Sequence, residues 1–342
     1  MKQFLKNIGI FTLFISIVFS TILSICEIQI PDYYVIQMTE NTSYEKVAWN
    51  IKIIKNNHCR ITNSSIFIGP SWLQGGINDS ILNSYGFNSI NMGVNHGGAD
   101  LDYYFVSRII RFKPRFIFLH RFPKGQELFH PMMPLLMSPL SYMSNFKNIN
   151  SNYIPQRLFF VFKYLSYRFF NFNKVILRKE FEFSQYGWRP EGYSHIKLEK
   201  EKLKEMLIEK CLTNRMMRKV RFDSNGILIK SINSKETIQE WMATKYFHIG
   251  NGEQARNKAF LLCRKNKVRV AEIYIPYFLD AYYDKKYDLN QYYYQSTGLS
   301  KKCYHLQNVA FLSNQSFWYD LNHLNTQGSC LFTDSIYKIL PK

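Results

Sequence analysis

Residues 64–93 read SSIFIGPSWLQGGINDSILNSYGFNSINMG, a strand, a helix and a second strand in close succession. SSIFIG (64–69) is an apolar run of strand length. GGINDSILNSYG (75–86) has helical spacing with Gly86 as its stop, and FNSINMG (87–93) is strand-like again. Further on, Asp100 to Phe112 places apolar residues at 101, 105, 106, 109 and 110, the stripe of an amphipathic helix. Pro114 ends it, and RFIFLH (115–120) predicts a third strand. This rhythm predicts an α/β fold, with a doubly wound, mostly parallel sheet of about five strands.

The rhythm breaks between about 122 and 235 and predicts a large, mostly helical insertion. That stretch holds PMMPLLMSPL (131–140), QRLFFVFKYLSYRFFNF (156–172) and a charged helix at 197–219. The aromatic and basic segment 156–172 reads either as a helix covering the core or as one lying on a membrane surface. GWRPEGY (187–193) is expected to line a cleft. The α/β pattern returns with a helix over Ile238–Lys265, a strand at KVRVAEIYIPYF (267–278) and a last strand at NVAFLS (308–313). Apolar spacing after Asn325 predicts a terminal helix.

The 342 residues carry 44 basic and 25 acidic side chains, a formal charge of +19 that favours an anionic partner or surface. No recognisable nucleic-acid-binding motif accompanies that charge, and acidic glycans or anionic headgroups fit it equally well. Residues 8–26, IGIFTLFISIVFSTILSIC, are uncharged, follow Lys2 and Lys6, and have about the length of a membrane-spanning helix. The expected order is a cytoplasmic N-terminus (1–7), a signal anchor (8–26), a connector (27–60) and an extracytoplasmic domain (61–342). No A-x-A-like site marks a cleaved leader, and Ile25 speaks against a lipoprotein site at Cys26. The six cysteines show no C-x-x-C spacing, which argues against a zinc site; pairing and buried free thiols both stay open.

Ser71 lies at the carboxyl end of the first strand, where open α/β sheets place their ligands. It is a helix cap or a nucleophile. The G-x-S-x-G elbow is absent, since Leu73 stands at its second glycine. In YDLNHLN (319–325), Asp320 and His323 are three apart and share a face of a turn, the relation by which a carboxylate orients a histidine base.

FIGPSWLQGGI, INMGVNHGG, FKPRFIFLH and DLNHLNTQG together resemble the SGNH/GDSL hydrolase superfamily. They are closest to its membrane-anchored bacterial branch, which includes the teichoic acid D-alanylation and SGNH-type alginate O-acetylation proteins. The resemblance covers most of 60–120 and 265–340. It implies Ser71 as nucleophile, His323 as base, Asp320 as its orienter, and the N–H groups of Ser71 and Gly93 as oxyanion donors. The family's third block supplies an Asn where this chain has LHRFPKG (119–125), so Asn95, His120 or Arg121 replaces that donor or the hole has two. Trp72, His96, His120 and Arg121 are candidate substrate-binding residues.

The resulting expectation is a membrane-anchored, extracytoplasmic serine esterase or O-acyltransferase acting on a cell-surface or exported polysaccharide. It would need no cofactor or metal and would work beside a membrane-bound O-acyltransferase. The alternative is a non-catalytic protein of the same fold that binds glycans or assembles with that partner.

Overall fold

No residue of the first strand, β1 (Ser65–Ile68), is exposed. Its side chains alternate between two apolar clusters, Ile66 and Ile68 entering one and Phe67 the other. A strand apolar on both faces has to lie inside a sheet covered on both sides. The third strand repeats the pattern, with Ile117 and Leu119 on the first face and Phe116 and Phe118 on the second. Phe118 stacks between Phe67 and Phe116, at 4.7 and 4.4 Å between ring centroids.

The computed structural model describes residues 2–40, 42–121, 129–146, 149, 151–170, 187–188, 221–222, 228–229, 251–278 and 303–341. The chain begins with α1 (Lys2–Cys26), α2 (Asp32–Thr39), α3 (Glu45–Asn56) and α4 (His58–Thr62). After β1 come α5 (Ser71–Gly76), α6 (Asp79–Ser84), β2 (Ser89–Asn91), α7 (Ala99–Ile109) and β3 (Phe116–His120). Then follow α8 (Met133–Leu136), α9 (Pro139–Phe146), α10 (Tyr153–Phe170) and an antiparallel ribbon of β4 (Arg221–Phe222) and β5 (Leu228–Ile229). The last elements are α11 (Asn251–Lys265), β6 (Val270–Ile273), β7 (Cys303–Tyr304) and α12 (Thr326–Tyr337).

The main sheet has the order β2-β1-β3-β6-β7 and every neighbouring pair is parallel. Side chains from α2, α3, α7 and α11 fill the cluster on one face, and those from α5, α6 and α12 fill the other. An α/β fold on a five-stranded parallel sheet is therefore present, with its three leading strands where the apolar runs place them.

Several expectations need correction. The helix expected over 75–86 is two helices, because Asn78 accepts from Ile81 N–H and caps α6 afresh. NVAFLS is not a strand: the Asn308 side chain accepts from Ala310 N–H at 2.9 Å and turns Ala310–Leu312 into a 3-10 helix. The sheet edge is the short β7 instead. Residues 27–60, expected to connect, form α2 to α4, and Val35, Val47, Ala48, Ile51 and Ile54 join the core. Most of the 122–235 insertion, including 197–219, and residues 238–250 lie outside the described residues.

The segment 8–26 falls within α1, whose side chains are described from Lys2 to Val18. Among the described residues, no helix is long and apolar enough to cross a membrane. Cys59, Cys263, Cys303 and Cys330 are free thiols.

The stacked core makes a direct prediction. Phe118→Ala is expected to cost about 3–5 kcal/mol of stability in chemical denaturation. Phe311→Ala, at a 40% exposed position, should stay within about 0.5 kcal/mol.

Candidate functional site

The loop after β7 closes on itself before α12 begins. Trp318 and Leu324 form an antiparallel bridge, Tyr319 N–H donates to His323 O at 2.8 Å, and Asn325 N–H donates to Phe317 O at 3.0 Å. Trp318 is fully buried and its indole N–H donates to Leu312 O at 2.7 Å. Asn325 caps α12 by accepting from Gly328 N–H, while its amide donates to Ser316 O. Gly328 allows the closure, since a Cβ there would lie 2.2 Å from Phe317 O. Each residue of D-x-x-H-L-N-x-x-G thus has a physical task, and the result is a rigid turn presenting Asp320 and His323.

Asp320 accepts from the backbone N–H groups of Asn322 (2.7 Å) and His323 (2.8 Å), and from His323 Nδ1 (2.8 Å to the nearer oxygen). Burial acts to raise its pKa. The His323 hydrogen bond and charge and the two backbone donors outweigh that and hold it below the usual carboxylate value. A carboxylate only accepts, so in the neutral ring the proton sits on Nδ1 and Nε2 is left as an acceptor. Ser71 Oγ lies 2.8 Å from Nε2, 252 residues away in sequence, and its hydroxyl donates to it. The His323 and Asp320 side chains keep 15% and 21% of their surface, shielded yet reachable.

Ser71 is therefore not the cap of the helix it begins. Pro70 occupies the cap position of α5, leaving the Ser71 hydroxyl to His323. As the first residue of a helix, Ser71 has a backbone N–H with no acceptor among the described residues. Asn91, fully buried at the end of β2, donates to the carbonyls of Leu73, Gln74 and Ile77 and so fixes the far end of α5. Asp79, wholly buried, accepts from Asn91 N–H at 2.7 Å and from Trp188 N–H at 3.1 Å.

The other expected site residues are placed differently. Gly93 lies against α5, where an added Cβ would sit 2.6 Å from Gln74 N, and its N–H donates to Asn91 Oδ1 at 2.9 Å. The Asn95 amide donates to Ser43 O at 3.2 Å, and its backbone carbonyl accepts from His130 Nε2 at 3.0 Å. Burial lowers His130 to about 4, so it is neutral; Met132 N–H donates to its Nδ1. His96 is exposed at φ 54°, its ring 6.1 Å from that of Tyr44.

His120 and Arg121, two of the candidate substrate-binding residues, are buried. His120 is held well below the ordinary histidine pKa by burial and by the Arg256 charge, and its Cβ lies under Gly69. Arg121 joins Arg256 in pairing with Glu272, at 3.6 and 2.7 Å. Trp72 is half-buried between the rings of His120 (5.5 Å) and Tyr277 (4.9 Å), and it stays beside Ser71. Of GWRPEGY, Trp188 is buried against the back of α5, donating to Gly75 O, and residues 189–193 lie outside the described residues.

Tyr277, Asn91 and Glu272 were not singled out from sequence; only Asn91, inside the N-x-G stretch, carried a signal that would have found it. Among the described residues no three His, Cys, Asp or Glu side chains come together as a metal would require. No protein-family model matches the chain, and no curated protein matches it in sequence.

The capped turn is testable without knowing the reaction. Asn325→Ala is expected to cost about 1 kcal/mol of stability. It should also broaden the low-field proton resonance of His323 Nδ1–H, which Tyr85→Phe, in a different part of the fold, should leave sharp.

Proposed function

We propose that this chain is a serine esterase or O-acyltransferase of the SGNH/GDSL type, built on a doubly wound sheet. The observation that carries this reading is the continuous relay from Asp320 through His323 to Ser71, with the hydroxyl already donating to Nε2. Ser71, just past the carboxyl end of β1, meets His323 and Asp320, which are carried by the loop between β7 and α12; the carboxyl end of a strand is the usual ligand position in such sheets.

In this mechanism His323 Nε2 removes the Ser71 proton as Oγ attacks an ester carbonyl. The tetrahedral oxyanion is met by the Ser71 N–H, a type of donor typically worth about 3 kcal/mol. Collapse breaks the bond to the leaving oxygen, which takes the proton from His323 and departs as an alcohol, leaving acyl-Ser71. Water or a sugar hydroxyl then gives its proton to His323 and attacks the acyl carbon, and the returning proton restores Ser71. Asp320 keeps its charge throughout and stabilises the transient imidazolium.

The proposed setting is extracytoplasmic, with residues 8–26 as anchor and a polysaccharide as acyl acceptor. The uncharged 19-residue stretch within α1 supports the anchor, as does the exposure of its apolar side chains from Phe4 to Val18. The resemblance to envelope-modifying proteins and the +19 charge support an acidic polymer and a membrane-bound O-acyltransferase partner.

One observation favours a second reading, a non-catalytic glycan-binding or assembly protein. Gly93 N–H and the Asn95 amide are both committed to protein acceptors, so the oxyanion has fewer donors than the family pattern implies.

Stopped-flow release of p-nitrophenol from p-nitrophenyl acetate separates the two. Catalysis predicts a burst that vanishes in Ser71→Ala and slows on the order of 10²–10⁴-fold in Asp320→Asn. A folded wild-type chain with no burst, still retaining polysaccharide, would establish the second reading.

A further inference from the structure

We propose that the outward face of α10 lies on the bilayer surface, as a second membrane contact beside the α1 anchor. The proposal rests on the anchor reading above, and three observations carry it.

The first is the helix's own patterning. Tyr153, Arg157 and Val161 face the protein and are buried. The opposite face should then be polar if water were its only neighbour. Instead it presents Phe159, Phe162 and Phe169, at 60, 54 and 70% exposure. Offsets of three and seven residues keep the three rings on one side of the helix. On the neighbouring α9, Leu140 and Met143 extend the apolar surface, at 58 and 41% exposure. A bare patch of this kind marks an interaction surface rather than a solvated one.

The second is charge. α10 contains Arg157, Lys163 and Arg168 and no acidic residue. Arg157 is buried, whereas Lys163 and Arg168 are exposed, each near a ring of the apolar face: Lys163 over Phe159 at 5.9 Å and Arg168 over Phe169 at 6.0 Å. Phenylalanine rings with cations at their margins match an interface of acyl chains below and anionic headgroups above.

The third is position. α1 packs on α10. The residues just beyond α1 are tied to the same two helices: Leu140 N–H donates to Glu27 Oε1 at 3.2 Å, and the Arg157 guanidinium donates to Ile28 O. Where α1 leaves the bilayer, α9 and α10 are thus fixed against its exit point. A lipid surface is then the nearest apolar phase available to those three rings.

The full-length chain, reconstituted in phosphatidylcholine vesicles containing phosphatidylglycerol, tests this by photocrosslinking. Phe162→p-benzoylphenylalanine reads the proposed contact, Ile10→p-benzoylphenylalanine reads the anchor, and Tyr85→p-benzoylphenylalanine serves as an exposed control away from both. The expected result is lipid adducts by mass at positions 162 and 10 and none above background at 85. Adducts at 10, with position 162 unreactive or joined to a second copy of the chain, would overturn the α10 contact and leave the anchor standing. Absence of lipid adducts at 10 would overturn the anchor and this inference with it.

Discussion

The Asp320 carboxylate is the group that the site cannot do without. It collects two backbone N–H groups from its own turn and the Nδ1–H of His323. Those donors keep it ionised in spite of burial, and its charge dictates the tautomer of His323. Only that tautomer leaves Nε2 as an acceptor for Ser71. Removing the carboxylate would free the ring to rotate and to carry its proton on the wrong nitrogen, though every apolar contact of the core would survive.

The fold brings these three residues together through two independent constraints. On the Ser71 side, Asp79 holds Asn91, and Asn91 ties down the far end of the short helix α5 that Ser71 begins. On the His323 side, the Trp318–Leu324 bridge, the Asn325 cap and the close approach at Gly328 make the turn nearly a closed ring. The two sides are coupled below the site, where Ser329 and Thr333 of α12 donate to Gly76 O, and beside it, where Phe278 N–H donates to Leu321 O. A serine and a histidine 252 residues apart are thereby positioned by packing and by satisfied polar groups, with little left to loop flexibility.

How much of this was legible in the sequence follows from which forces are local. β1 and β3 were readable because apolar residues on both faces of a strand produce an unbroken run, whereas β2 is a short Ser-Ile-Asn whose polar residues are buried too. Asp320 and His323 were readable because their spacing already encodes a shared turn. The α2–α4 segment was missed although Val47, Ala48, Ile51 and Ile54 fall at helical spacing, since its polar and aromatic content suggested a connector. NVAFLS looked like a strand until a single asparagine side chain folded it into a turn. The oxyanion donors were least legible. Whether Gly93 N–H points to a ligand or to Asn91 Oδ1, and whether the Asn95 amide reaches Ser43 instead, is a competition among acceptors that no spacing reveals.

His120 shows the same limit from another direction. Its place at the end of β3 was correct, but residue type and spacing do not report that Gly69 sits directly over its Cβ or that burial, helped by the Arg256 charge, holds its pKa well below the ordinary histidine value. The central claim is that the relay makes Ser71 a nucleophile, and peptide mapping by mass spectrometry after exposure to a fluorophosphonate tests it most directly. A single phosphonyl adduct is expected on the peptide containing Ser71, lost when His323 is replaced by alanine. An unmodified Ser71 in folded protein, or an adduct on a different serine, would contradict it.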